Sequence, residues 1–105
     1  MKIIWSARSR EDLDLIAAFI AKDNPAGAEQ WILKIEKKTE QAASHPFAGR
    51  IVPEFEEKKI REVLLKSYRI VYQVYSKHIE ILTVFEGHRL LVTANDEAAE
   101  DSEES

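Results

Sequence analysis

Cysteine is absent from the 105 residues, which rules out a disulfide framework and any thiolate metal site, the usual supports of small secreted domains. Proline and glycine are scarce, three of each, so the chain has neither the composition of a flexible linker nor that of a fibrous repeat. No apolar run approaches the ~18 residues needed to cross a membrane. The opening Met1-Lys2-Ile3-Ile4-Trp5-Ser6 meets Arg8 without the apolar core of a signal peptide. These absences lead to the expectation of a globular protein that stays in the reducing cytoplasm and makes no membrane contact.

What is present fits that expectation. Hydrophobic residues make up 45% and charged residues 32% of the chain, enough apolar surface for one packed core and too short a chain for two. The net charge of -4 is unevenly spread. Six of the 19 acidic residues (Asp96, Glu97, Glu100, Asp101, Glu103, Glu104) crowd the last ten positions, so residues 1–95 hold 13 acidic against all 15 basic, a balance of +2. A body so nearly neutral is no nucleic-acid footprint, and direct high-affinity DNA binding is not expected. Residues 1–93 are read as one folded domain and residues 94–105 as an acidic, flexible tail, because Ala, Glu, Asp and Ser bury too little apolar surface to offset the entropy of ordering.

Along the body, Lys2 to Ser6 reads as a short opening strand. Ser9 followed by Glu11 and Asp12 reads as a helix cap with acids in the first turn, and Leu13, Ile16, Ala17 and Ile20 recur at helical spacing. Asp23-Asn24-Pro25 ends that helix and starts another, since Asn caps and Pro suits the first helical position. In the second helix Ala28, Trp31, Ile32, Ile35, Thr39 and Ala42 share one face as far as Ser44, with Lys34, Lys37, Lys38 and Glu40 on the other. Breaker residues from His45 to Arg50, then Pro53 and the charged run Glu54 to Lys59, read as a long irregular stretch reaching to about Lys58. Three β-rich segments follow, Ile60–Leu65, Tyr68–Tyr75 and His78–Phe85, joined by short turns into an antiparallel meander. Period-two alternation places Tyr68, Ile70, Tyr72 and Val74 on the face expected to meet the helices, and Arg69, Val71, Gln73 and Tyr75 on the other. The fold class is α+β, in the order β-α-α-β-β-β, with a helix hairpin packed on a small antiparallel sheet.

Few side chains carry obvious chemistry. His45 and His78 have no partner at ligand spacing, so no metal and no cofactor is expected. Trp5, Trp31, Tyr68, Tyr72 and Tyr75 alternate in strands or sit on a helix face, where aromatics are core far more often than base-stacking platforms. Arg61 and Arg69 read as strand arginines that pair with Glu62, Glu80 or Glu86, or as anion-binding groups. His88 is the one side chain near them whose ordinary pKa suits proton transfer, and an exposed histidine at a loop edge is its plainer reading.

The order of elements, together with Pro46 and Gly49-Arg50, Ile60-Arg61-Glu62, Tyr68-Arg69-Ile70-Val71-Tyr72 and Val84-Phe85-Glu86-Gly87-His88-Arg89, resembles the RelE/ParE toxin superfamily of type II toxin–antitoxin systems across nearly residues 3–91. In that family ParE-like members poison DNA gyrase by contact, whereas RelE-like members cleave mRNA on the ribosome. The resemblance aligns Arg69 and Arg89 with phosphate-binding arginines of the ribonucleases. Those relatives also carry a tyrosine shortly after the second arginine, and Leu90 to Ser105 contains none. They often place lysines before the Tyr-Arg strand where this chain has Arg61 and Lys66, and an arginine, with a pKa above about 12, is a poor base. The resemblance therefore implies a ParE-like gyrase inhibitor, with Arg61, Arg69, His88 and Arg89 as catalytic candidates only under the ribonuclease alternative. A non-toxic, antitoxin-binding co-repressor is the third reading. The implied partners are a ParD-like or other ribbon-helix-helix antitoxin and DNA gyrase, or the ribosome in the alternative. Arg50, Arg61, Arg69, Leu90 and Leu91 are the expected partner-contacting residues.

Overall fold

A computed structural model describes residues 1–87. The chain runs β1 (Lys2–Trp5), α1 (Ala7–Asp23), α2 (Pro25–Ser44), a 3₁₀ turn (Pro46–Ala48), β2 (Arg50–Ile51), β3 (Ile60–Leu65), β4 (Tyr68–Val74) and β5 (His78–Glu86). It is an α+β fold in which the helix hairpin packs on one sheet of order β1-β5-β4-β3-β2. The expected meander is present as the antiparallel ladders of β3 with β4 and β4 with β5. The sheet as a whole is mixed, because β1 pairs with β5 in parallel, Lys2 opposite His78 to Trp5 opposite Ile81. A parallel pair needs a long crossover, and the two helices supply its first part.

The hairpin forms where its sequence places it. The Asn24 side chain accepts from Gly27 N at 2.9 Å, Pro25 opens α2, and the Asn24 N–H closes α1 on the Ile20 carbonyl at 2.9 Å. Ala28, Trp31, Ile35, Thr39 and Ala42 are buried in α2 as their spacing predicts, and Ala43 joins them. Leu13, Ile16, Ala17 and Ile20 of α1 pack partly buried against the same core, with Ile70, Tyr72, Val74, Ile79, Ile81 and Val84 on the sheet side. The expected face of β4 is thus the one that meets the helices.

Two local expectations are corrected. The cap of α1 is Ser6, not Ser9, and no acid stands in the first turn. Ser6 Oγ accepts from Ser9 N at 3.0 Å and donates to the Leu82 carbonyl at 3.0 Å, while Ser6 N donates to the Ile81 carbonyl at 3.0 Å. These tertiary bonds to β5 start the helix earlier than local propensity would. A register shift in β5 sets Val71 opposite Thr83 and Tyr72 opposite Ile81, leaving Leu82 as the extra residue whose carbonyl reaches Ser6. Ser9 is instead fully buried, its hydroxyl donating to the Ser6 carbonyl at 2.9 Å.

The second correction concerns the stretch from His45 to Lys59, which is less irregular than its composition suggests. It holds the 3₁₀ turn and the two-residue β2, paired with β3 through Arg50 opposite Glu62 and Ile51 opposite Arg61. Tyr72, buried in the core, donates its hydroxyl to the Pro46 carbonyl at 2.7 Å and so fastens the turn.

Candidate functional site

The sheet face turned away from the helices carries the charged residues. Strand alternation puts Glu62 of β3 and Arg69 and Val71 of β4 there, and the segment that follows β2 folds over them, burying Val52 completely. Register sets Glu62 opposite Val71 and Arg69 opposite Leu64, so Glu62 and Arg69 are diagonal cross-strand neighbours within reach of long side chains.

At this place four side chains among the described residues form one charge network. Glu62, whose side chain is 0% exposed, accepts from Arg69 Nε at 2.6 Å and from Arg50 Nε at 2.6 Å, with Arg50 Nη2 on the same oxygen. Arg69, 7% exposed at its side chain, donates Nη1 to Glu54 Oε2 and Nη2 to Glu54 Oε1, both at 2.9 Å. That second contact is the planar fork geometry in which Arg and carboxylate bind most strongly. The Arg69 pKa is raised, chiefly by the Glu54 hydrogen bonds and further by Glu62, against the opposing effect of burial. The guanidinium also lies 5.0 Å from the centre of the Phe85 ring.

Arg61 belongs to a neighbouring device. Its Nε donates to the Lys58 carbonyl at 2.8 Å, and Nη1 donates to the carbonyls of Phe47 at 3.0 Å and Gly49 at 2.9 Å. The Phe47 ring lies 5.1 Å away. Arg61 therefore pins the loop on both sides of β2, and Arg69 pins its middle through Glu54.

Of the sequence-predicted residues, Arg50 and Arg69 are brought together through Glu62, and Arg61 stands beside them. Arg50 offers the largest accessible surface of this network, 59% at its side chain. His88, Arg89, Leu90, Leu91 and the acidic tail lie outside the described residues. The Arg69–Glu62 pair is among those expected, whereas Glu54 emerged from the sequence only as part of a charged run. No signal short of the loop's path could have singled it out. Asp12 is also unforeseen: its Oδ2 accepts from Thr83 Oγ1 at 2.5 Å and Val84 N at 3.1 Å, tying α1 to β5. Among the described residues no cluster of His, Asp or Glu is arranged to hold a metal ion, and no helix is long and apolar enough to cross a membrane.

Among the described residues, a helix hairpin laid on one face of a five-stranded mixed sheet, with an arginine–carboxylate network on the other, defines a small α+β domain. The family model for the ParE toxin of type II toxin–antitoxin systems matches residues 3–91. A curated protein named "Putative toxin Y4kP", from Sinorhizobium fredii (strain NBRC 101917 / NGR234), is 34% identical over 90 residues, covering 84% of this chain and 90% of that one. A solved structure described as the chromosomal ParDE TA system from P. aeruginosa superposes with a TM-score of 0.69, covering 82% of this chain and 95% of that one. Its identity of 21% makes this a likeness of fold. The chain belongs to the ParE toxin family of type II toxin–antitoxin systems.

Proposed function

We propose that the chain inhibits DNA gyrase by direct contact in the cytoplasm, without catalysis of its own, and that a cognate ribbon-helix-helix antitoxin neutralises it. The observation that carries this reading is the state of Arg69. An arginine that is to stabilise the charge on a cleaving phosphate must present its donors to the substrate. Here the donors of Arg69 are turned to Glu62 and Glu54, with the side chain 7% exposed. A phosphate could take their place only by displacing two carboxylates, one of them fully buried.

A contact inhibitor needs an exposed surface instead, and two features supply it. Arg50 presents its guanidinium beside the loop, and the helix hairpin exposes Leu15, Phe19 and Leu33. Apolar residues exposed on one hairpin are what a partner helix or strand covers. Arg50 and Arg61 are the proposed gyrase-side residues, and Leu90 and Leu91 remain proposed antitoxin contacts.

The test uses the purified chain, supercoiled plasmid and gyrase with ATP. Linear DNA trapped after protein denaturation should accumulate with dose, require gyrase, and vanish when the antitoxin is added. Codon-phased mRNA cuts on translating ribosomes, with gyrase products unchanged, would establish the ribonuclease reading. An absence of both activities and of any growth defect would establish the co-repressor reading.

A further inference from the structure

At one end of the sheet, where β4 stops and β5 and β1 begin, two aromatic rings stand outside the core. Trp31 and Tyr72 are buried and Tyr68 packs against them, but Tyr75 is 38% exposed and Phe47 55%. The Tyr75 ring lies nearly flat on that of His78, centroids 4.6 Å apart and planes 14° from parallel. The hairpin between β4 and β5 holds this pair in place, because Tyr75 N donates to the His78 carbonyl at 2.8 Å. Phe47 is steadied too, with the Arg61 guanidinium 5.1 Å from its centre.

Both rings border one cleft of about 430 Å³, with Lys59, Gln73 and Ser76 beside them, a volume suited to a small ligand. His78 backs one face of the Tyr75 ring, so the platform is braced from behind. Lys59 lines the cleft, Lys77 follows Ser76 in the turn, and Lys2 stands opposite His78 in the ladder. All three lysines are exposed, and none has an ion-pair partner among the described residues. Glu80 stands opposite Gln73 on β5, so an anion is favoured at the lysine end of the cleft and disfavoured further in.

We propose that this cleft is a nucleotide site: a base stacks on Tyr75 beside Phe47, the Gln73 amide meets the base edge, and the phosphate lies toward Lys59 and Lys77. An aromatic ring flanked by cations holds an unpaired base without reading sequence, since every base has a π-face. A ring already stacked on its neighbour loses little freedom when a base is added to it. Three lysines on a nearly neutral body make the binding modest and salt-dependent. The nucleotide is free or belongs to a single strand, and the recognising chemistry is the same in both. The site shares no residue with the network of Arg50, Glu54, Glu62 and Arg69, and the inference does not depend on which target the toxin attacks.

The test titrates the full-length chain at low salt with ATP and, separately, with a short oligodeoxyadenylate. Either ligand should move the amide signals of Lys59, Tyr75, Ser76, Lys77 and His78 in ¹⁵N spectra and leave those of Arg69 and α1 in place. Tyr75→Ala should weaken binding by roughly fivefold or more, the low end of what one stacked base contributes, and Tyr75→Trp should retain it. Lys59→Ala/Lys77→Ala should weaken it as well and flatten its dependence on salt. Saturation by ATP with no gain from the oligomer assigns the site to a free nucleotide, and tighter binding of the oligomer assigns it to a strand; both support the proposal. Four results overturn it: neither ligand moves these signals; inorganic triphosphate moves them as strongly as ATP, which leaves the rings without a role; Tyr75→Ala binds as the parent does; or the shifts centre on Arg50 and Arg61.

Discussion

Arg69 and Glu54 face each other through two parallel hydrogen bonds of 2.9 Å, the one residue anchored in a central strand and the other in the loop that follows β2. This contact, with the burial of Val52, holds the loop against the sheet. Glu54→Gln keeps the shape and removes the charge, so one arm of the fork loses its acceptor. Charge-assisted bonds contribute about 1.5–3 kcal/mol each, and with the carboxylate 23% exposed the expected loss is about 1–2 kcal/mol. Urea unfolding measures it. Amide exchange across residues 52–59 should quicken by more than that of β4, because the loop loosens before the sheet does.

Glu62 sits deeper and its removal should matter more. Its carboxylate is 0% exposed and accepts from both Arg50 and Arg69. Glu62→Ala leaves the buried Arg69 with Glu54 as its carboxylate partner among the described residues, and breaking a buried pair from one side costs about 3–5 kcal/mol. That is a large fraction of the roughly 5–15 kcal/mol that holds a domain of this size together. The midpoint in urea should fall steeply, and Glu62→Gln, which retains an acceptor oxygen, should recover part of the loss. Equal stabilities for the two variants would show that the carboxylate charge alone, and not its acceptor oxygen or its volume, governs the position.

Gly49 is a glycine because of close approach and not of backbone conformation, its φ being -67°. A Cβ there would land on the Tyr72 hydroxyl and lie 3.0 Å from the Glu62 carbonyl oxygen. Gly49→Ala should therefore break the Tyr72–Pro46 bond and force the turn outward, at about 1–3 kcal/mol. Thermal unfolding measures the loss, and Tyr72→Phe in the same background should add little, since the bond it removes is already gone.

Burial raises the phenol pKa of Tyr72, against smaller lowering effects of Arg61 and the Gly49 backbone, and that of Tyr68, where Glu86 adds to the shift. A raised pKa in the folded state means that the unfolded chain loses its protons first. The contribution is thus fully present below about pH 10, the unfolded value, and is lost as pH rises through the folded values. Stability against urea should therefore show no phenol-linked slope near neutrality and should decline in alkali. Absorbance at 295 nm, recorded through the same titration, should place part of the phenolate signal at the unfolding step.

Much of this architecture was legible because local and tertiary signals agree. Asn24-Pro25 caps and starts a helix whatever surrounds it, and the Tyr68–Val74 alternation survives because one of its faces is buried by the hairpin. The start of α1 was missed because two serines compete, and the choice between Ser6 and Ser9 is made by the Leu82 carbonyl, 76 residues away in sequence. The parallel placement of β1 is equally non-local. Of the site, Arg69 and Glu62 could be paired from strand spacing alone, as diagonal neighbours. Glu54 could not, since a charged run in a loop says nothing of where the loop folds. The family resemblance, carried by short motifs from Pro46 to Arg89, stood on firmer ground than any single residue's role.

The central claim is that this toxin acts by gripping a target and not by cutting RNA. Expression of the chain without antitoxin, followed by genome-wide mapping of both DNA breaks and mRNA 5′ ends in the same cells, tests it most directly. The account predicts double-strand breaks that disappear when gyrase is depleted, with mRNA ends unchanged. New mRNA ends phased to codons, on intact DNA, would contradict it.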